Sequence, residues 1–146
     1  MTHGQEPWAA GQAQAQVPVW IRIESAGMAG QYGPKSLKLP MIAQVGDQRT
    51  QLQAGDNPLS LPPGVWPVHV WCLYYGIKTG RAELTVDTRA GQPVLLYYMP
   101  PRTIYNRGVL SHQPAEREGK STLALIYTLA PLLVVTLVIV AALLTR

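Results

Sequence analysis

The sequence predicts a mainly β protein: an antiparallel β-sandwich of about seven strands followed by a single C-terminal transmembrane helix. Three observations carry this expectation. From Leu123 to Leu144 only Thr128, Pro131 and Thr136 fall outside the apolar set, and no residue from 122 to 145 is charged. Between Val17 and Met99, apolar side chains recur at alternate positions in short runs, and no segment shows helical spacing. Gly, Pro, Asp and Asn interrupt those runs roughly every eight to twelve residues, the rhythm of a sandwich.

The elements follow in order. Residues 1–16 are low in complexity and carry little that can pack, which predicts a flexible tail. Val17–Glu24 places Val17, Val19, Ile21 and Ile23 on one face of a strand, with Trp20, Arg22 and Glu24 on the other. Ala26–Lys35, with Gly27, Gly30, Gly33 and Pro34, reads as a loop. Leu37–Val45 and Gln48–Leu52 form a hairpin around Gly46-Asp47. Leu59–Leu61 is a short strand stopped by Pro62-Pro63-Gly64. Trp66–Tyr75 is the strongest strand, apolar on both faces, and is expected at the centre of a sheet and covered on both sides. Gly76–Gly80 turns the chain into Arg81–Asp87, and Ala90-Gly91 turns it again into Gln92–Met99. The sandwich domain is therefore expected over 17–99, followed by a juxtamembrane strap over 100–121 and the helix over 122–145.

A helix of 22 residues spans about 33 Å, one bilayer core. Ser121 is the expected N-cap, and Pro131 removes one backbone hydrogen bond inside the span. Arg102, Arg107, Arg117 and Lys120 precede the span, while only Arg146 follows it. Basic flanks stay on the cytoplasmic side, and the polar N-terminus has no apolar signal-peptide core. The expected topology is single-pass in the cell membrane, with the N-terminal domain cytoplasmic and the C-terminus outside.

Composition narrows function more than it defines it. One span rules out a polytopic transporter. Net charge is +4 with charged residues at 14%, too sparse for a nucleic-acid binder that must displace counterions with clustered Lys and Arg. The lone Cys72 cannot form an internal disulfide, favours a reducing compartment, and in Val70-Trp71-Cys72-Leu73-Tyr74 reads as a buried small hydrophobe. His3, His69 and His112 share no metal-ligand spacing, and no Ser-His-Asp set is supported, so neither a metal nor another cofactor nor an enzymatic activity is expected. Gly27–Ser36 holds the ingredients of a phosphate loop, but Pro34 separates Gly33 from Lys35 and the spacing fails.

Leu59-Ser60-Leu61-Pro62-Pro63-Gly64-Val65-Trp66-Pro67-Val68-His69-Val70 resembles the Pro-Pro-Gly turn and following long strand of PEGA-like and carboxypeptidase-regulatory-like sandwiches. In such a turn glycine is expected to supply the φ reversal. Arg81–Asp87 followed by Gly91–Tyr98 is similar to the closing hairpin of those domains. The resemblance covers about 40 residues and implies a fold, not an activity. In size and in sandwich-then-anchor order, the whole chain resembles small actinobacterial membrane-anchored sandwich proteins, among them the respiratory supercomplex association factors of the cytochrome bcc–aa3 oxidase. That resemblance implies a non-catalytic subunit, without haem or copper of its own, that stabilises complexes passing electrons from menaquinol to oxygen.

Two partner surfaces are expected. On the helix, Ala124, Thr128 and Pro131 recur at spacings of four and three and share a face, where Thr128 could donate a hydrogen bond to a neighbouring helix. Before it, Arg102, Tyr105, Arg107, Arg117 and Lys120 form a strap for partner subunits or lipid headgroups. Trp8, Trp20, Trp66 and Trp71, with seven Tyr, supply aromatics for both core and interface. The expected partners are an integral membrane complex, with cytochrome bcc and aa3 oxidase subunits implied by the resemblance, and the bilayer. The alternative is a tail-anchored cytoplasmic module that recruits a soluble protein or peptide at an edge strand.

Overall fold

A computed structural model of the chain describes residues 15–23 and 39–145. The N-terminal tail up to residue 14, the glycine-rich loop expected at 26–35 and the failed phosphate loop lie outside the described residues. Eight strands form two four-stranded sheets, followed by one helix. The strands are β1 (Val17–Ile23), β2 (Met41–Val45), β3 (Gln48–Leu52), β4 (Gly55–Leu61), β5 (Val65–Tyr74), β6 (Ile77–Asp87), β7 (Val94–Met99) and β8 (Val109–Ser111), and the helix is α1 (Lys120–Leu144). One sheet has the order β4-β1-β7-β8 and the other β3-β2-β5-β6.

Alternation decides which side chains meet between the sheets. Val17, Val19, Ile21 and Ile23 of β1 are buried, while Pro18 and Trp20 face out. Leu96 and Tyr98 of β7 join them, and Met41, Ala43, Val45, Val68, Val70, Cys72 and Val86 close the core from the other sheet. Each fully buried aliphatic side chain contributes about 1.5–3 kcal/mol relative to exposure. The ladders are antiparallel with one exception: β1 runs parallel to β7, with Val19 opposite Val94. The purely antiparallel expectation is corrected there. The hydrophobic alternation of a strand is the same in both directions, so it could not distinguish them.

Three further differences have local causes. First, β4 begins at Gly55, four residues before the expected Leu59. Asp, Asn and Pro are poor strand formers, but Asn57 is buried, accepts the Gln53 N–H (2.7 Å) and donates to the carbonyls of Gln53 (2.8 Å) and Ile21 (3.1 Å). Pro58 is tolerated because β4 is an edge strand. Second, the β5–β6 turn is Tyr75-Gly76, not Gly76–Gly80. Both residues have positive φ, 46° and 81°, the pattern of a two-residue type I′ hairpin. Gly80 sits instead in a bulge of β6 at φ 58°, where the register slips between Val70 and Cys72. Third, β5 is interior to its sheet, yet only its inner face meets the core. On its outer face Trp71 is buried while His69 and Leu73 are half-buried, and among the described residues no third sheet lies over them.

The Pro62-Pro63-Gly64 turn does feed the long strand, but by a different device. Gly64 keeps a negative φ, so the expected reversal is corrected. Thr88, buried beside it, donates its hydroxyl to the Pro62 carbonyl (2.8 Å) and accepts the Gly64 N–H (3.0 Å). The Trp66 indole N–H donates to the same Pro62 carbonyl at 2.9 Å. A Cβ on Gly64 would lie 3.1 Å from Trp66 Nε1. Gly64→Val is therefore expected to lower stability by about 1 kcal/mol through crowding of the indole. An unshifted denaturation midpoint, followed by Trp fluorescence, would remove this role.

Candidate interface at the helix junction

The chain reaches α1 through residues that fold back on the sandwich. After β7, Pro100 and Pro101 are buried. β8 then pairs antiparallel with β7, Tyr98 opposite Leu110, and also lies against β6 of the other sheet. The segment read from sequence as a strap thus adds a strand and closes one side of the sandwich.

Two close approaches fix that closure. A Cβ on Gly80 would lie 2.7 Å from Pro101 Cδ, and one on Gly108 would lie 2.4 Å from the Gly80 carbonyl oxygen. Only glycine lets the two backbones meet there. Beneath them, the fully buried Tyr98 donates its single phenolic proton to the Gly80 carbonyl at 2.7 Å. Its oxygen is then the acceptor for the Cys72 thiol, 3.3 Å away. Burial pushes both the Cys72 thiol and the Tyr98 phenol above their ordinary pKa ranges, which keeps both protons in place. Cys72 is the buried small hydrophobe the sequence suggested, with one polar contact.

The five strap residues separate by role. Arg117 donates from Nε to the Pro100 carbonyl (2.8 Å) and from Nη2 to the Pro101 carbonyl (3.1 Å), so its fork holds the strap to its own domain. Arg102 anchors through its backbone, its N–H donating to the Glu118 carbonyl at 2.9 Å, while its Nε is buried with no acceptor among the described residues. Lys120 reaches Glu116 at 2.6 Å on an exposed surface, a contact of small energetic weight. Tyr105 is 78% exposed. Arg107 is exposed and lines a groove on the outer face of the second sheet.

Two residues that the sequence reading passed over set the helix junction. Asn106 donates from Nδ2 to the Thr122 hydroxyl in the first turn of α1, at 3.1 Å. Gly119 is the N-cap, at φ 105°, where a Cβ would lie 2.8 Å from Asn106 Oδ1 and 3.3 Å from Arg102 Cβ. The helix accordingly starts at Lys120 with no side-chain cap, which corrects the expected Ser121 cap. An Asn five residues after a Pro-Pro pair carries no local signal, because its partner lies sixteen residues on.

α1 runs 25 residues through Pro131, none of them buried, with a mean hydropathy of 2.7 in its most apolar window. It is long and apolar enough to cross a membrane. Ala124, Thr128 and Pro131 all lie exposed on it. The Thr128 hydroxyl donates to the carbonyls of Ala124 (2.8 Å) and Leu125 (3.1 Å) of its own helix, so its proton is already engaged rather than held out to a neighbour.

Among the described residues no group of His, Cys, Asp and Glu could hold a metal ion. Compared with known protein families, with curated proteins and with solved structures, the chain matches none.

Proposed function

We propose that the chain is a non-catalytic accessory subunit that associates with and stabilises a larger membrane complex, the respiratory bcc–aa3 supercomplex being the specific assignment. The observation that carries the subunit reading is the junction: Arg102, Asn106 and Gly119 tie the sandwich to the first turn of α1. A tether needs only a flexible linker, whereas a subunit that contacts a partner in the membrane and above it benefits from a fixed angle between the two. The apolar helix, with no residue buried, supplies the membrane contact. The assignment to the supercomplex rests on the resemblance in size and element order. The basic flank before α1 supports a cytoplasmic sandwich and an outward C-terminus.

The test is a mild-detergent pull-down through a C-terminal tag. Stoichiometric recovery of cytochrome bcc and aa3 subunits is expected. Recovery of a soluble protein instead favours the recruiting module, for which the polar edge strand β3 is one available surface. With Thr128 bonded within its own helix, any helix contact at this face depends on shape. Ala124→Leu is expected to lower co-purification about fivefold, the equivalent of about 1 kcal/mol, at unchanged membrane abundance. If a generic Leu/Ala span over 123–144 co-purifies as well as the native helix, the helix contributes insertion alone.

A further inference from the structure

The groove lined by Arg107 is a polar site that the subunit reading leaves unused. It encloses about 560 Å³ on the outer face of the second sheet, and its lining includes His69, Trp71, Lys78, Arg81, Glu83 and Arg107. The Gly80–Gly108 approach assembles it. Arg81 follows Gly80 and Arg107 precedes Gly108, so the contact that closes the sandwich also brings these two cations to one groove. Lys78 adds a third charge, its ammonium 4.3 Å from the centre of the Trp71 ring. None of the three pairs with a carboxylate among the described residues, and the groove's own Glu83 lies 3.6 Å from His69. Trp71, 5% exposed, forms part of the lining, and its buried indole N–H has no acceptor among the described residues. Three cations against the single carboxylate of Glu83 leave the groove net positive, which raises the local affinity for an anion.

The location selects the anion. Arg107 is one residue from Asn106, which bonds the first turn of α1. The β5–β6 hairpin tip lies at the same end of the sandwich, because β6 leaves the tip only a few residues before Gly80 meets Pro101. That tip presents Tyr75 and Ile77, 84% and 64% exposed, and the strap adds Tyr105. Tyr75 adopts a left-handed φ of 46° that glycine or asparagine would take more cheaply. Exposed tyrosines beside lysine and arginine next to a membrane span are the composition of a headgroup interface.

We propose that this groove binds the phosphate of an anionic phospholipid, with Lys78, Arg81 and Arg107 as its ligands and Tyr75, Ile77 and Tyr105 resting in the interfacial layer. The proposal rests on α1 spanning the bilayer, and not on the identity of the partner complex. Bound lipid would hold the sandwich against the membrane at the angle that the junction sets.

The experiment uses the full chain reconstituted into vesicles of phosphatidylcholine, with or without phosphatidylglycerol, and with Trp8, Trp20 and Trp66 replaced by Phe so that Trp71 reports alone. Alkaline-resistant flotation with both vesicle types first establishes the span, and its failure would sink the anchor itself. Trp71 emission is then expected to respond to brominated phosphatidylglycerol and not to brominated phosphatidylcholine. Each of Lys78→Gln, Arg81→Gln and Arg107→Gln should raise the anionic-lipid fraction needed for half-maximal response about fivefold. Equal response to both lipids, or no response from a chain that floats, overturns the proposal. So does an equal effect of millimolar inorganic phosphate on micellar protein, which assigns the site to a free anion. If the three variants leave the lipid response intact and instead lose a co-purifying protein, the groove is a protein contact and the lipid proposal fails. Lys78→Arg retains charge and should restore the response, which separates loss of binding from loss of folding.

Discussion

Replacing Tyr98 by alanine is expected to destabilise the protein by about 4 kcal/mol, the range for deleting a buried aromatic ring. Tyr98 is completely buried, belongs to one sheet, and hydrogen-bonds the Gly80 carbonyl of the other. The substitution removes the ring from the core and leaves both that carbonyl and the Cys72 thiol without their partner. Tyr98→Phe keeps the ring and should cost about 2 kcal/mol, the penalty for stranding buried polar groups. The measurement is denaturant unfolding of the full chain in micelles, followed by Trp fluorescence, with reaction of Cys72 toward a thiol reagent as a second readout. In the wild type Cys72 should be protected, because it is buried and its thiolate is disfavoured. In Tyr98→Ala it should react. A loss below about 1 kcal/mol for the alanine variant would mean that Tyr98 does not join the sheets.

Gly108→Ala should be nearly as severe, at about 3 kcal/mol, the upper part of the range for overpacking. Its Cβ would lie 2.4 Å from a backbone oxygen and 2.8 Å from the Tyr98 ring, and neither the ladder nor the buried ring can yield cheaply. The expected relaxation is withdrawal of residues 100–119 from β6, which would take Arg107 out of the groove and loosen the hold on α1. Limited proteolysis should then cut within this segment in the variant and spare it in the wild type. Gly91→Ala is the control. Gly91 also has a positive φ, 69°, but a Cβ there meets nothing within 4 Å, so only the conformational penalty of about 1 kcal/mol applies. If the two alanine variants unfold alike and neither becomes protease-sensitive at the strap, the Gly80–Gly108 contact does not hold it.

The groove illustrates how little of the candidate site a linear reading could reach. Arg107 stood out because it precedes an apolar span, but Lys78 and Arg81 sit in an ordinary hairpin strand. They join Arg107 only because Gly80 and Gly108 allow two backbones to touch across a separation of 28 residues. Arg117 points the other way: it looked like a flanking cation, but its guanidinium is engaged by the carbonyls of a proline pair, groups that carry no charge and no sequence signature.

Features that depend on local periodicity are legible in the linear chain. The alternation of Val17, Val19, Ile21 and Ile23 named the buried face of β1, Gly46-Asp47 named the β2–β3 hairpin, and the uncharged run up to Leu144 named α1. In each case the side-chain pattern and the backbone geometry share one period, so neighbouring residues suffice. Long-range contacts, by contrast, decide the parallel β1–β7 pairing, the capture of residues 109–111 as β8, the inward turn of Asn57 and the capping of α1 by Gly119. Each of these is settled by a hydrogen-bond partner or a steric neighbour distant in the chain. Such contacts form only once burial of the two sheets has brought those distant segments together.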